Sequence, residues 1–301
     1  MRRVATAYIQ LASAMIIVGS SVVAGKLIVA SFPVFLASGL RFVVGNLILI
    51  PLVLKAESGL GGVARKDWLI LFFQSLSGVF LFNILLLYGL KLTSAAEGGI
   101  ITSTTPAVVG IISFLFLKER LTPRPSMGIL LAVLGVVAVN VLGADLSARR
   151  GLNPLLGNLM IFGAVVGEAL FIILRKAASE SMSALATAAL INLLALFMFA
   201  PLAIYEALGF DFSGLNLKDW LAVIYYGVML TVVAYYLWFK GLRHVPASTA
   251  GVFTGLMPIS AVGLSYIVLA EPFRWAHLAG GLCVLAGIGL MTVRSVSKKI
   301  A

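Results

Sequence analysis

"KDWLI", residues 66–70, returns as "KDWLA" at residues 218–222, an offset of 218 − 66 = 152. The offset then holds without a gap, pairing Gly89 with Gly241, Thr102 with Thr254, Pro106 with Pro258, Glu119 with Glu271, Gly128 with Gly280 and Gly135 with Gly287. Shared apolar composition produces chance matches of Leu and Ala, but not matched Pro, Glu and Lys-Asp-Trp in one register. Upstream the offset is nearer 150 and the match weaker, with Lys26 against Lys176 and Pro51 against Pro201. The chain reads as two copies, residues 1–145 and residues 146–301.

The copies are built for lipid. Of 301 residues, 61% are hydrophobic and 11% charged, and the apolar residues come in runs of about 20, the length that crosses a hydrocarbon layer about 30 Å thick. Runs bounded by charge, Gly or Pro predict ten spans, at 7–29, 34–54, 68–90, 95–117, 125–143, 155–175, 183–205, 219–242, 247–269 and 276–294. Each copy holds five. An odd number sends the second copy into the membrane in the opposite direction, so the expected fold is an all-α polytopic membrane protein with ten transmembrane helices as two inverted five-helix repeats.

The net charge of +11 would suggest nucleic acid in a soluble protein, but here its distribution matters more. With ten spans both termini share a side. The joints of that side carry Arg2, Arg3, Lys55, Arg65, Lys66, Lys118, Arg120, Arg124, Arg175, Lys176, Lys240, Arg243, Arg294, Lys298 and Lys299, which is 15 of the 22 Lys and Arg. The other side has Lys91, Arg149, Arg150, Lys218 and Arg274. By the positive-inside rule both termini are expected in the cytoplasm, and nucleic acid is not an expected partner. The first span is read as a membrane helix rather than a signal peptide, because its apolar stretch is too long for an h-region. Cys283 is the one cysteine, which excludes an intramolecular disulfide. With His244 and His277 the only histidines, no metal site or cofactor is expected.

"GGIITSTTPAV", residues 98–108, places hydroxyls and a proline in a membrane span. Proline lacks an N–H and clashes with the carbonyl four residues earlier, so Pro106 frees the carbonyl of Thr102, and Pro258 that of Thr254. In lipid such carbonyls need partners, and irregular backbone is tolerated only against protein or a water-filled cavity. Thr105 and its neighbours offer hydroxyls. Either these bond back to their own helix around a structural kink, or the matched interruptions in the two copies mark a transport site. The symmetry favours the second, with Thr102, Thr105, Pro106, Thr254 and Pro258 as cavity candidates.

Charges within the spans are judged the same way. Glu168 lies seven residues before Arg175, roughly 10 Å inside the membrane end at 1.5 Å per residue. An intramembrane carboxylate faces the bundle interior, pairs with a cation or takes up a proton, and is a functional candidate by default. Arg41 is the competing structural partner, and Lys26 is expected to snorkel outward; these three are the charge-pair or coupling candidates. Glu97 belongs to "SAAE", a capping box. Glu119 and Glu271 end matched spans next to or within a few residues of Arg120 and Arg274 and are expected to lock loops by ion pairing. Across the repeat Tyr226 matches Gln74 and Tyr235 matches Asn83, which makes these four candidates for the cavity lining. Trp68 and Trp220 sit where interfacial anchors belong.

The segments "YGLKLTSAAEGGIITSTTPAVVGIISFLFLKERLTPRPSMGILLAVLGV" (88–136) and "WFKGLRHVPASTAGVFTGLMPISAVGLSYIVLAEPFRWAHLAGGLCVLAGIGL" (238–290) resemble the EamA-type family of the drug/metabolite transporter superfamily. "VGSSVVAGK" and "LRF" in the first two spans do so more weakly. The resemblance implies ten helices in two inverted repeats, a central cavity lined by spans 1, 3, 4, 6, 8 and 9, and export of amino acids, amines or related metabolites. Members often have Trp where this chain has Val18, so an aromatic role there does not carry over.

The expectation is therefore a secondary exporter of the bacterial cytoplasmic (inner) membrane. It would move a small polar metabolite, amino acid or amine-like, by alternating access, with protons as candidate coupling ions. Efflux of hydrophobic or cationic toxic compounds is the alternative, favoured by the aromatic content of 10% and by Glu168. No nucleophile with a base, metal cluster or Walker motif is legible, so an enzyme is not expected. The partners expected are a small-molecule substrate and the lipid bilayer, with monomer and homodimer both open.

Overall fold

The computed structural model describes residues 2–56, 64–92, 101–102, 104–119, 123–138, 153–178, 182–268 and 275–292. Among the described residues the regular structure is entirely helical. It runs α1 (Arg2–Ser31), α2 (Val34–Ala56), α3 (Arg65–Ser75), a π-helical segment (Leu76–Leu81), α4 (Phe82–Leu92), α5 (Thr105–Leu117) and α6 (Pro123–Val137). There follow α7 (Pro154–Ala177), α8 (Ala184–Leu208), a short 3₁₀ turn (Phe212–Gly214), α9 (Leu217–Tyr225), a second π-helical segment (Tyr226–Ala234), α10 (Tyr235–Leu242), α11 (Ala247–Phe253), α12 (Leu256–Val268) and α13 (Trp275–Thr292).

Local chemistry sets several of these boundaries. Asn153 accepts a hydrogen bond from the Leu156 amide ahead of Pro154 and opens α7, which ends on Arg175 and Lys176, cations suited to a helix C-terminus. Ser183 caps α8 through the Ala186 amide. Asn216 and Asp219 form a reciprocal capping box at α9. Helix α5 ends where Lys118 adopts a left-handed conformation, φ 54°, and the Glu119 amide donates back to the Ser113 carbonyl at 3.3 Å.

Six helices among the described residues are long and apolar enough to cross a membrane: Arg3–Ser20, Val34–Ala56, Arg65–Gly89, Pro154–Ala177, Ala184–Leu208 and Leu217–Leu242. Their outer faces present Leu47, Leu155, Phe197 and Leu217, each more than two-thirds exposed, a surface that only hydrocarbon tolerates. The chain is a polytopic membrane protein. The other four expected spans coincide with shorter pieces, α5, α6, the α11–α12 pair and α13. Two of those spans are shortened because the helix is interrupted near proline or because its start lies outside the described residues.

Close contacts at glycines position the helices. A Cβ on Gly135 would lie 2.5 Å from the Gly280 carbonyl oxygen, and one on Gly287 2.6 Å from the Gly128 carbonyl oxygen, so α6 and α13 touch backbone to backbone. Helix α1 packs on α12 and α10, α7 on α5 and α4, and α2 on α8. The buried core runs through these contacts from Leu11 and Phe42 to Phe199, Phe239 and Leu242.

Candidate functional site

The interruption expected at residues 98–108 is present. Thr104 donates its amide to the Ile101 carbonyl, three residues back, at 3.0 Å, and its hydroxyl goes to the same oxygen at 2.6 Å. Helix α5 restarts at Thr105 with Pro106 in its first turn. The Thr102 carbonyl, which Pro106 cannot serve, accepts the Thr105 hydroxyl at 2.9 Å. In the second copy α11 ends at Phe253 and α12 begins at Leu256. There Thr254 Oγ1 donates to the Gly251 carbonyl at 2.6 Å, and the Thr254 carbonyl accepts the Met257 amide at 3.0 Å. The same defect is thus repaired by a hydroxyl in one copy and by a backbone amide in the other, since Met257 stands where the first copy has Thr105. Thr105 and Thr254 are buried, Thr102 and Pro258 half-buried.

Thr105 has a second partner. Its Oγ1 lies 3.1 Å from Glu168 Oε2, which joins the broken helix to the intramembrane acid of α7. A threonine hydroxyl carries one hydrogen. When it goes to the Thr102 carbonyl, a contact with Glu168 requires the carboxyl to donate; when it goes to Glu168, the carboxylate accepts. The arrangement therefore reads the protonation state of Glu168. The carboxyl is half-buried and forms no ion pair among the described residues, so the alternative pairing with Arg41 is not made.

Arg41 sits elsewhere, 7% exposed. Its guanidinium carbon lies 4.4 Å from the centre of the Phe42 ring and 5.2 Å from that of Tyr226, and its Nε is buried without a hydrogen-bond partner. Tyr235 lies within electrostatic range of both Arg41 and Tyr226. Its ring meets Phe171 edge-on at 6.1 Å. Phe171 is one turn beyond Glu168 on the same face of α7, so Tyr235 packs beside the stretch of α7 that carries Glu168. The Lys26 side chain lies outside the described residues.

The other expected lining residues are placed differently. Gln74 is fully buried, donating to the Phe171 carbonyl at 2.7 Å, so it fixes α3 against α7 and lines no open space in this conformation. Asn83 is half-buried and turns its amide back to the Val79 carbonyl. Glu119 holds a chain end through amides and a hydroxyl where an ion pair was expected: it accepts from the Ala247 amide at 2.8 Å and from the Ser248 amide and hydroxyl at 3.1 and 2.7 Å. It thereby caps α11 from the other copy. Glu97 and Glu271 lie outside the described residues.

What residue reasoning missed is the π-helical geometry. Adding the offset of 152 to Leu76–Leu81 gives 228–233, inside the second segment, Tyr226–Ala234. Widened turns leave carbonyls short of amides, and side chains supply donors: Thr231 Oγ1 to the Tyr226 carbonyl at 3.4 Å and Asn192 Nδ2 to the Thr231 carbonyl at 3.2 Å. Such segments concentrate at functional sites. Composition carries no sign of them, because the residues are ordinary apolar helix formers; the repeat register and the polar Asn192 were the available signals.

Comparison with known proteins gives the family and the fold. The model of the EamA-like transporter family matches the chain twice, over residues 5–141 and 155–293. A Bacillus subtilis (strain 168) protein named "Uncharacterized transporter YetK" is 46% identical over 288 residues, covering 96% of this chain and 87% of that protein. Another from the same organism, "Uncharacterized transporter YyaM", is 24% identical over 281 residues, 93% of this chain and 92% of its own length. A solved crystal structure superposes with a TM-score of 0.78 at 22% identity, covering 96% of this chain and 97% of that one, which shows a shared fold.

Proposed function

The chain belongs to the EamA-like transporter family, and from that premise we propose that this membrane transporter exports a small polar metabolite, an amino acid or amine, by alternating access. Glu168 is its proton-binding or cation-binding group.

The observation that carries the reading is the Thr105–Glu168 contact at 3.1 Å, made where the helix is interrupted. An acid held within a membrane span, against a hydroxyl that can give or receive the bond, responds to a proton or to a cationic group on the solute. The interruption hands the Thr102 carbonyl from a backbone amide to the same Thr105 hydroxyl.

The architecture we infer is ten spans in two inverted repeats, residues 1–145 and 146–301, with both termini cytoplasmic in the bacterial inner membrane. Reciprocal packing supports it. Gly135 on Gly280 and Gly287 on Gly128 are one contact seen from each copy, as a two-fold relation requires. The packing of α1 on α12 and α10 likewise mirrors that of α7 on α5 and α4. An interface of this kind, with a broken helix in each half, suits rocking of one repeat against the other.

The test is counterflow into proteoliposomes with labelled amino acids and amines, with and without a pH gradient, wild type beside Glu168→Gln. Saturable exchange whose gradient sensitivity disappears in the variant is the expected result. Exchange of lipophilic cations alone would replace the metabolite reading with efflux of toxic compounds.

A further inference from the structure

We propose that Arg41, Tyr226 and Tyr235 form a subsite for a carboxylate group of the transported molecule. The inference rests on the transport reading above and narrows its substrate class, from amino acid or amine to a carboxylate-bearing solute.

The argument begins with an uncompensated charge. Arg41 is 7% exposed in α2, seven residues from the start of that helix at Val34, or roughly 10 Å along it. A guanidinium does not lose its proton in a protein. Burying it is expensive unless it is paired. Among the described residues Arg41 forms no ion pair, and its Nε has no hydrogen-bond partner. Its neighbours are the faces of Phe42 and Tyr226, which stabilise a cation but accept none of its N–H hydrogens in the plane of the fork. A buried cation with aromatic walls and an empty donor fork is complementary to an anion.

The surroundings define which anion. The phenol hydroxyls of Tyr226 and Tyr235 take no hydrogen-bond partner among the described residues, and both side chains are half-buried, so both O–H groups are left with a hydrogen to donate. Two phenol donors beside one guanidinium match two oxygens and a single negative charge. A phosphate dianion would remain half-neutralised here, because no second cation joins the cluster among the described residues. A carboxylate binds the fork through two parallel N–H···O bonds and leaves each oxygen free to accept from a tyrosine.

The backbone holds the cluster in place. A Cβ on Gly227 would lie 3.1 Å from the Arg41 carbonyl oxygen, and one on Gly45 2.4 Å from Thr231 Cγ2, so the second π-helical segment is pressed against α2 where Arg41 projects. That segment carries Tyr226 at its start, and Tyr235 follows it. Movement of this segment would withdraw the tyrosines from Arg41, which couples the anion to the state of the transporter.

The experiment is thermal unfolding of the purified full chain in detergent. The probes are a panel of small carboxylates, each beside its neutral primary amide, with counterflow of the same carboxylates in parallel. Binding to the folded state raises the unfolding temperature by mass action. Wild type should show a rise of about 3 °C or more with at least one carboxylate several-fold above its Kd, and none with the amide. Arg41→Gln should abolish the difference, and Arg41→Lys, a point charge without a fork, should keep only part of it. Equal response to acid and amide in wild type, or a full carboxylate preference in Arg41→Gln, overturns the subsite. If Arg41→Gln does not fold, the Tyr226→Phe, Tyr235→Phe double variant decides: a reduced preference supports the proposal and an undiminished one overturns it. Carboxylate-specific stabilisation without counterflow supports the subsite and removes the transport reading. Counterflow with no preference for acid over amide keeps transport and removes the subsite.

Discussion

The Thr105 hydroxyl stands 3.1 Å from Glu168 Oε2 and 2.9 Å from the Thr102 carbonyl oxygen, with one hydrogen to give. When it goes to the Thr102 carbonyl, the contact with Glu168 requires a protonated carboxyl; when it goes to the carboxylate, the Thr102 carbonyl loses the hydroxyl as its donor. A carboxyl state is thereby tied to the local geometry of a proline-interrupted helix.

That relationship predicts how Thr105→Val behaves. The variant keeps the shape and removes both hydrogen bonds. A hydrogen bond to a charged group contributes about 1.5–3 kcal/mol, so gradient-driven exchange should fall by about tenfold or more. Thr105→Ser should restore most of it. Initial rates of counterflow at several pH values check both, and a valine variant with the wild-type pH profile would separate Thr105 from coupling.

The two prolines should not be equivalent. Pro106→Ala supplies an amide that competes with the Thr105 hydroxyl for the Thr102 carbonyl, so its effect includes an altered pH profile. Pro258→Ala supplies one where the Met257 amide already serves Thr254, at 3.0 Å, so it should change the rate and leave the pH profile alone. If both variants transport as wild type does, the interrupted helices have no part in the cycle.

Gly135 and Gly287 meet opposing carbonyl oxygens at 2.5 and 2.6 Å from where a Cβ would stand. Leucine at either position forces the helices apart, and overpacking of this kind costs about 1–3 kcal/mol. Gly135→Leu and Gly287→Leu should lower the unfolding temperature by similar amounts. Gly263→Ala, with nothing within 4 Å of its Cβ position, should not. Unequal losses at the two glycines would contradict the reciprocal contact.

Glu119 receives three hydrogen bonds at the start of α11, and its negative charge also suits the helix N-terminus. Glu119→Ala should destabilise the protein by about 1–3 kcal/mol. Ser248→Ala, which leaves both amide bonds in place, should cost about 1 kcal/mol or less. Thermal unfolding in detergent measures both, and equal losses would mean that the amide bonds contribute nothing.

Much of the helix pattern was readable residue by residue. Apolar runs bounded by charges placed α2, α7 and α8 to within a few residues, because crossing hydrocarbon demands a minimum run of apolar side chains and the caps Asn153 and Ser183 stand where those runs begin. The matched Pro106 and Pro258 announced the interruptions, since a missing amide is a property of the residue itself. Gln74 was ambiguous: a polar side chain in a span signals either a cavity or a buried tie between helices, and in this conformation it makes the tie, to the Phe171 carbonyl.

What the sequence by itself determined, then, is the long apolar helices, the repeated register of residues and the places where proline leaves the backbone short of an amide, all of which follow from short-range chemistry. Which groups meet was decided by tertiary structure alone. Glu168 is 63 residues from Thr105, and Arg41 finds Tyr226 rather than Glu168 because glycine contacts bring α2 against the second π-helical segment. Those contacts depend on how far two backbones approach and on how one helix is rotated about its axis. Neither quantity is written in the order of residues along one chain segment; both emerge when the helices pack.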